Sequence, residues 1–310
     1  MFDLLETRAE LNTPISQRQL EVVAEKTLGG AREELLKLAS HLEYGQKILS
    51  RRFSVFDILK DYPQCGLTFA EYLDMLKLLA PRQYSISSSP LAHQYDVEKA
   101  HEDQSLLVSV TYDVHQSLPK SDPNRMFHGV ASSYMARLQP GDRLHCFVRP
   151  TNVTFHLPAD PQVPIIMIAA ATGVAPTHGF IEERAALAAA GTLLYFGCRD
   201  EEKDFIYKDE LANWQDDGIV EVRPAFSRHG SEGGYKYVPD RMWAEREELA
   251  ALFLKGAKIF VCGSASKLRK STAEICQKIW LERHPDKGPE DAKAWLAKVR
   301  EDRYVSDLFD

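Results

Sequence analysis

The hydrophobic period of the chain changes twice. Between residues 16 and 80, apolar positions recur every three to four residues, with Leu35, Leu38 and Leu42 in one stripe and Val55, Ile58 and Leu59 in another. That spacing predicts amphipathic helices. TFAE at 68–71 reads as a capping box, with Thr68 placed to cap and Glu71 to reach back, and ILKDYPQCG ends the preceding helix with a proline and a glycine. From about 81 to 158 the pattern becomes that of strands. RQYSIS, LLVSVTYDV and DRLHCFVRP are rich in Val, Tyr, Ser and Thr and are separated by turn stretches such as LPKSDPN and QPGD. This predicts an antiparallel barrel or sandwich, with one short helix at HGVASSYMARL.

After Pro164 the chain alternates. PIIMIAA, TLLYFGC, IVEVRPAFS and KIFVCGS read as strands, each followed by a helical stretch, the helices beginning near His178, Asp204, Pro239 and Ser266. Such alternation implies βαβ units and a doubly wound parallel sheet. Ligands of these sheets bind beyond the carboxyl ends of the strands, here the loops after Ala170, Cys198, Ser227 and Gly263.

Composition narrows the function classes. At 310 residues there is room for two domains, and 44% hydrophobic with 27% charged residues is the balance of a soluble globular protein. A formal net charge of −7 without a Lys/Arg run argues against nucleic acid. No apolar run approaches the roughly 20 residues that span a bilayer, and the start MFDLLETRAE is too acidic for a signal peptide. The five cysteines (Cys65, Cys146, Cys198, Cys262 and Cys276) never form CxxC, which suits a reducing, cytoplasmic setting. The ten histidines lack metal-ligand spacing, so no metal is expected.

Candidate chemistry sits at the strand ends. ATGVAP places Thr172, Gly173 and Val174 at the start of a helix, where backbone N–H groups and the helix dipole favour an anion. On its own this fits a phosphate turn and an ordinary strand-to-helix turn equally. FSR puts Ser227 beside Arg228, with Lys236 and Tyr237 following; this set grips a phosphate monoester or forms a solvated basic turn. RQYSISSSP carries Arg82, Tyr84 and Ser85 on a strand that can pair a phosphate, stack a flat ring and hydrogen-bond its edge. HGVASSYM adds a second anion-type helix start at Gly129, Val130, Ala131 and Ser132.

Taken in order, RQYSISSSP, HGVASSYMARLQPGD, PIIMIAAATGVAP, GFIEERAAL, YFGCRDEEKDFIYKDEL, AFSR, VCGS and RYVSDLFD resemble the FAD/NADPH module of the diflavin reductases, the family of NADPH–cytochrome P-450 reductase. The resemblance runs from about residue 14 to the end and is strongest to the soluble reductase halves of self-sufficient fungal and bacterial P-450 fusions. It implies a ferredoxin–NADP reductase-like fold, α/β plus β. The helical connecting insert would occupy 1–80, a partial antiparallel FAD-binding barrel 81–160 and the NADPH-binding α/β domain 161–310. It implies FAD and NADPH as cofactors. Arg82 would neutralise the FAD pyrophosphate, Tyr84 would flank the isoalloxazine and Ser85 would hydrogen-bond near flavin N5. Gly129, Val130, Ala131 and Ser132 would donate to the FAD pyrophosphate, and Thr172 and Gly173 would approach that of NADPH. Arg199, Ser227, Arg228, Lys236 and Tyr237 would surround the adenosine and its 2′-phosphate. Cys262 would lie against the nicotinamide, and Asp307 would orient Ser85 and Cys262.

The chain departs from the family pattern in four respects. Ala169 and Ala171 replace the first two glycines of GxGTGxAP, and Thr177 and His178 replace the usual aromatic and its neighbour. Tyr235 stands where the 2′-phosphate lysine is usual, with Lys236 one place later and Pro239 in place of a glutamine. The terminal aromatic that shields the flavin is Phe309 rather than Trp; its smaller ring should yield more readily to nicotinamide and discriminate less against NADH. The family's first barrel strands and FMN domain would precede the helical insert, at which this sequence starts.

The resulting expectation is a flavoprotein that takes a hydride from NADPH and passes electrons singly onward. Its partners would be an FMN-binding domain or flavodoxin-like protein, or a P-450 haem domain, with sulfite reductase flavoprotein and nitric-oxide synthase reductase sharing the motifs. The alternative of another class is a degenerate module without autonomous turnover, serving as a structural partner. Ser85, Cys262 and Asp307 favour the former; the missing strands and altered glycines favour the latter.

Overall fold

The computed structural model describes residues 5, 7–92, 107–117, 126–150, 154–189, 191–264, 268–300 and 302–309. The chain divides into two compact units, one formed by Met1–Gln83 with Asp113–Asp142 and the other by Tyr84–Tyr112 with Arg143–Asp310.

The first unit is mainly helical. Helices α1 (Gln17–Glu25), α2 (Gly30–Ala39), α3 (Val55–Asp61) and α4 (Phe69–Met75) enclose a core of Ile15, Leu20, Val23, Leu35, Ile48, Val55 and Ile58. Their starts are fixed by side chains. Ser16, Ser54 and Thr68 each close a capping box, with Gln19, Asp57 and Glu71 as the reciprocal partners. Lys26 also pairs with Glu71, and that hydrogen bond, with those from Thr68, lowers the Glu71 carboxyl to about 2. The expected stripe Leu35–Leu38–Leu42 is only partly core: Leu35 is buried, whereas Leu42 is 70% exposed, because the helix ends at Ala39 and a new turn begins at His41. Two short ladders complete this unit, β1 (Ala9–Glu10) with β2 (Lys77–Leu78) and β3 (Gln116–Ser117) with β4 (Phe127–His128). The short helix expected at HGVASSYMARL is present as α5 (Val130–Met135), with Gly129 as its N-cap.

The second unit is built on a five-stranded parallel sheet of β5 (Ile165–Ala170), β6 (Thr192–Cys198), β7 (Glu221–Phe226), β8 (Lys258–Ser264) and β9 (Tyr304–Phe309), in the order β7-β6-β5-β8-β9. A near-continuous apolar run such as IIMIAA is the mark of a strand buried on both faces. Ile166 and Ile168 join the layer that contains Val238, Met242, Leu249, Cys276, Ile279 and Leu296. Ile165, Met167 and Ala169 join the opposite layer with Val174, Ile181 and Leu211. Helices α6 (Val174–Ala186) and α7 (Lys208–Asp216) therefore cover one face. The other face is covered by α8 (Val238–Ala244), α9 (Arg246–Leu254), α10 (Leu268–Glu282) and α11 (Pro289–Val299). Pro224 is tolerated in β7 because that strand lies at the sheet edge.

Several boundaries differ from the expected ones. The helix anticipated near His178 starts four residues earlier, directly from the turn after β5. The one anticipated near Asp204 starts at Lys208, after Tyr207 has taken a left-handed φ of +62°. Pro239 falls in the first turn of α8. Ser266 lies outside the described residues, as do LPKSDPN at 118–124 and the first residue of LLVSVTYDV.

The strands expected at RQYSIS, LLVSVTYDV and DRLHCFVRP are the main correction. Among the described residues these segments form one bridge, Ile86 with Val110, supported by the Ser87 amide donating to the Ser109 carbonyl. Residues 142–150 form no strand, and Phe147 and Val148 are 71% and 72% exposed. Composition supplied the propensity, but a strand exists only where a neighbour completes its ladder. Among the described residues no helix is long and apolar enough to cross a membrane, and no group of His, Cys, Asp and Glu is placed to hold a metal ion.

The capping boxes give a direct check. Thr68→Ala should cost about 1 kcal/mol in urea denaturation. Ser54→Ala should cost more, because it strips a hydrogen bond from the buried Asp57 carboxylate; equal losses would show that burial of the box adds nothing.

Candidate active site

Within the second unit, strand order reverses between β5 and β8, the switch point at which parallel sheets receive ligands. The chain leaves β5 through a 3-10 turn, Ala171–Gly173, and enters α6 at Val174. Gly173 is pressed onto β8: a Cβ there would lie 2.2 Å from the Cys262 carbonyl oxygen and 2.8 Å from the Gly263 Cα. Glycine is required for that approach. No side chain caps the turn or α6, the arrangement in which a helix start receives an anionic group.

The two alanines of this turn are not equivalent. Ala169 lies within β5, fully buried and paired with Phe196 and Cys262, so its methyl is ordinary core. Ala171 has a φ of +49°, a left-handed conformation that costs an L-residue roughly 1–2 kcal/mol. The lost glycine matters at 171 and not at 169.

Sheet register then builds the centre. Cys262 pairs with Ala169 on one side and with Asp307 on the other. Burial pushes the Cys262 thiol up to about 12, and the Asp307 carboxylate beside it adds to the shift. The sulfur is therefore an uncharged, polarisable surface at neutral pH. Asp307 is half-buried, and no hydrogen bond joins it to Ser85. Phe309 ends β9 opposite Ser264, 42% exposed.

The Ser-rich segment is held by α6. His178 Nδ1 lies 2.6 Å from the Ser87 carbonyl oxygen and its Nε2 lies 2.7 Å from Glu210 Oε2. Glu182 accepts from the Ser89 amide at 2.7 Å, and Glu183 from the Ser89 hydroxyl at 3.2 Å. The His178 ring stacks on Tyr207 with centroids 3.9 Å apart, and Tyr207 is hydrogen-bonded to Thr111. Gly179 lets the backbones meet, since a Cβ would stand 3.2 Å from the Ser88 carbonyl oxygen. Tyr84 packs edge-on against Tyr112, and Ser85 follows it half-buried. Ser87 Oγ is buried without a hydrogen-bond partner among the described residues. The sequence motif GFIEER signalled this clamp only as a family likeness; which of its residues touch the serines needs the folded chain.

At the far edge, the loops after β6 and β7 are tied by the Ser227 amide donating to the Cys198 carbonyl and the Arg228 amide to that of Arg199, both at 3.0 Å. Ser227, Arg228 and Arg199 are thus brought together, with Lys236 and Tyr237 exposed on the segment that follows. Tyr235 lies under the Arg241 guanidinium.

The remaining candidates belong to the first unit. Arg82 is paired with Glu10 through both terminal guanidinium nitrogens, Nη1 and Nη2, and donates to the Ala80 carbonyl; its hydrogen bond holds the Glu10 carboxyl below its usual range. Gly129 donates to the His115 carbonyl, and a Cβ on it would stand 2.7 Å from Ser132 Oγ. Ser132 is buried and accepts from the His115 amide, while Val130 and Ala131 form the first turn of α5.

Ala171→Gly should raise stability by about 1 kcal/mol, the released left-handed strain less the gain in unfolded-chain freedom. An unchanged melting temperature would show that the turn relaxes around the methyl. A maleimide at pH 8 should label the exposed Cys146 rapidly and leave Cys262 untouched until the chain is denatured; peptide mapping distinguishes the two.

Two domain models match this chain: the FAD binding domain over residues 1–134 and the oxidoreductase NAD-binding domain over residues 167–274. The chain is 38% identical to a self-sufficient cytochrome P450 monooxygenase of Phanerodontia chrysosporium and to a bifunctional cytochrome P450/NADPH–P450 reductase of Fusarium oxysporum, in each case over 100% of this chain and 29% of the relative. It is 36% identical to a bifunctional cytochrome P450/NADPH–P450 reductase of Bacillus subtilis (strain 168), with the same coverage. The chain thus spans less than a third of the length of these relatives. With the FAD binding domain and the oxidoreductase NAD-binding domain matched in order, and its whole length aligned to these fusions, the chain carries the two cofactor-binding domains of an oxidoreductase and is similar to the NADPH–P450 reductase portion of these relatives.

Proposed function

We propose that the chain takes a hydride from NADPH onto FAD and passes electrons singly to an FMN-binding domain or flavodoxin-like protein, or to a P-450 haem domain, within a cytoplasmic monooxygenase system. The observation that carries this reading is the register that sets Cys262 and Asp307 side by side at the mouth of the uncapped Thr172–Gly173 turn. FAD, when bound, supplies the ring that accepts two electrons as hydride and releases them one at a time.

The residues divide the remaining work. The Thr172 and Gly173 turn and the start of α6 would anchor the dinucleotide pyrophosphate. The uncharged Cys262 sulfur would form a soft wall against the nicotinamide. Asp307, an anion beside it, favours the positive charge that develops on that ring as hydride leaves. Ser85 offers a hydroxyl to the flavin edge and Tyr84 a flat face, on a segment that α6 holds fixed. Arg82 and the Gly129–Ser132 start would serve the FAD pyrophosphate. On this reading 1–80 is the connecting insert, 81–160 contributes to the FAD-binding barrel and 161–310 is the NADPH domain. The helical core of the first unit supports the first of these bounds and the parallel sheet of the second supports the third.

A second reading, a module without autonomous turnover, is favoured by one observation: residues 142–150 lack a ladder and leave Phe147 and Val148 exposed. One experiment separates the two. The chain purified with added FAD should be yellow, and NADPH should bleach its visible absorption under anaerobic conditions. A colourless chain would favour the second reading, and a yellow chain that NADPH leaves unbleached would overturn hydride transfer.

A further inference from the structure

Every arginine at the β6 and β7 ends already faces a carboxylate of this chain. Arg199 pairs with Asp204 at 3.0 Å. Arg228 Nη1 lies 3.5 Å from Asp200 Oδ2, and His229 Nε2 lies 3.7 Å from the same oxygen. Lys208 is drawn to Glu201 and Glu202, at 3.1 and 2.8 Å. Asp200 is the fixed member of this set. Its other oxygen, Oδ1, accepts the Glu202 amide at 3.1 Å, and its side chain is only 13% exposed. That amide bond, with smaller contributions from Lys203, His229 and Arg228, holds the Asp200 carboxyl below its ordinary range.

We propose that Asp200 sets dinucleotide selectivity in this chain, accepting a hydrogen bond from an adenosine ribose 2′-hydroxyl and opposing a 2′-phosphate, so that NADH is used alongside NADPH. The proposal rests on the assignment of Ser227, Arg228, Lys236 and Tyr237 to the adenosine end of the site. Two physical effects act in the same direction. A 2′-phosphate placed on Arg228 would stand beside a permanent anion, where like charges repel. A ribose bearing a free 2′-hydroxyl meets instead the acceptor that parallel-sheet dinucleotide sites use to recognise NAD. Tyr235 adds to the imbalance. It stands two residues before Tyr237, and the guanidinium over its ring, that of Arg241, is already committed to Glu245 and the Pro224 carbonyl.

The test is calorimetric titration of the full chain with adenosine 2′,5′-bisphosphate and with ADP, for wild type, Asp200→Asn and Asp200→Ser. Asparagine keeps an oxygen for the Glu202 amide and removes only the charge, so it guards against loss of the turn; thermal melts check both variants. The ratio of the two dissociation constants should shift toward the bisphosphate by about tenfold in each variant. The same shift should be seen in the relative rates at which NADPH and NADH bleach the flavin-loaded chain. Binding of both ligands with an unchanged ratio would overturn the role of Asp200 and leave the adenosine site standing. Binding of neither ligand to wild type would overturn the adenosine assignment and the proposal with it.

Discussion

The contact between Gly173 and the Cys262 carbonyl sets the geometry of the second unit. No side chain fits between the start of α6 and β8, where a Cβ would come within 2.2 Å of that oxygen. Because β5 and β8 are adjacent and parallel, this approach fixes the height of the helix start relative to Cys262. Asp307 then follows from the register of β9 on β8. Three features separated by more than 130 residues of chain are thereby held at one end of one sheet, with little freedom left to side-chain rotamers.

From that fixed point, α6 behaves as a rod. With a rise of about 1.5 Å per residue, His178 lies about 7 Å along the axis from Gly173 and Glu183 about 15 Å. The first end carries the anion-type turn; the second carries the groups that grip Ser87 and Ser89. One rigid helix thus sets the distance between the turn and the segment bearing Tyr84 and Ser85. His178 suits this duty in a way an apolar residue would not, since both ring nitrogens face acceptors, the Ser87 carbonyl and Glu210. Arg184, buried further along the helix, donates to Thr192 at the start of β6 and to the Val163 carbonyl, and ties the rod to the sheet at its other end.

Legibility in the sequence followed the range of the interactions involved. The parallel strands could be read because IIMIAA, TLLYFGC and KIFVCGS are apolar on both faces, and each is its own signal of burial. The Thr68 cap was legible because its partner Glu71 is three residues away. Among the described residues, RQYSIS, LLVSVTYDV and DRLHCFVRP form only the bridge of Ile86 with Val110, because Val and Tyr content reports propensity, while a ladder depends on a distant neighbour. The contrast between Ala169 and Ala171 was hidden for a related reason. Both look like the same lost glycine, and only φ separates a residue inside β5 from one in the left-handed turn beyond it. The clamp of His178, Glu182 and Glu183 on the serines spans about 90 residues of chain, a distance no local pattern reports.

The carboxylates facing Arg199 and Arg228 look alike as ion pairs but differ in what holds them. Asp204 meets Arg199 across an open surface, with the guanidinium 69% exposed; such a pair is worth about 0–1 kcal/mol. A phosphate offers a guanidinium two parallel, charge-assisted bonds, so a phosphate placed on Arg199 would displace Asp204 readily. Asp200 has no such exit. Its second oxygen is engaged by the Glu202 amide within the turn, and swinging away from Arg228 would break that turn. A ligand at this end therefore meets a cation and a fixed anion together, an environment better matched to a neutral hydroxyl than to a doubly charged phosphate.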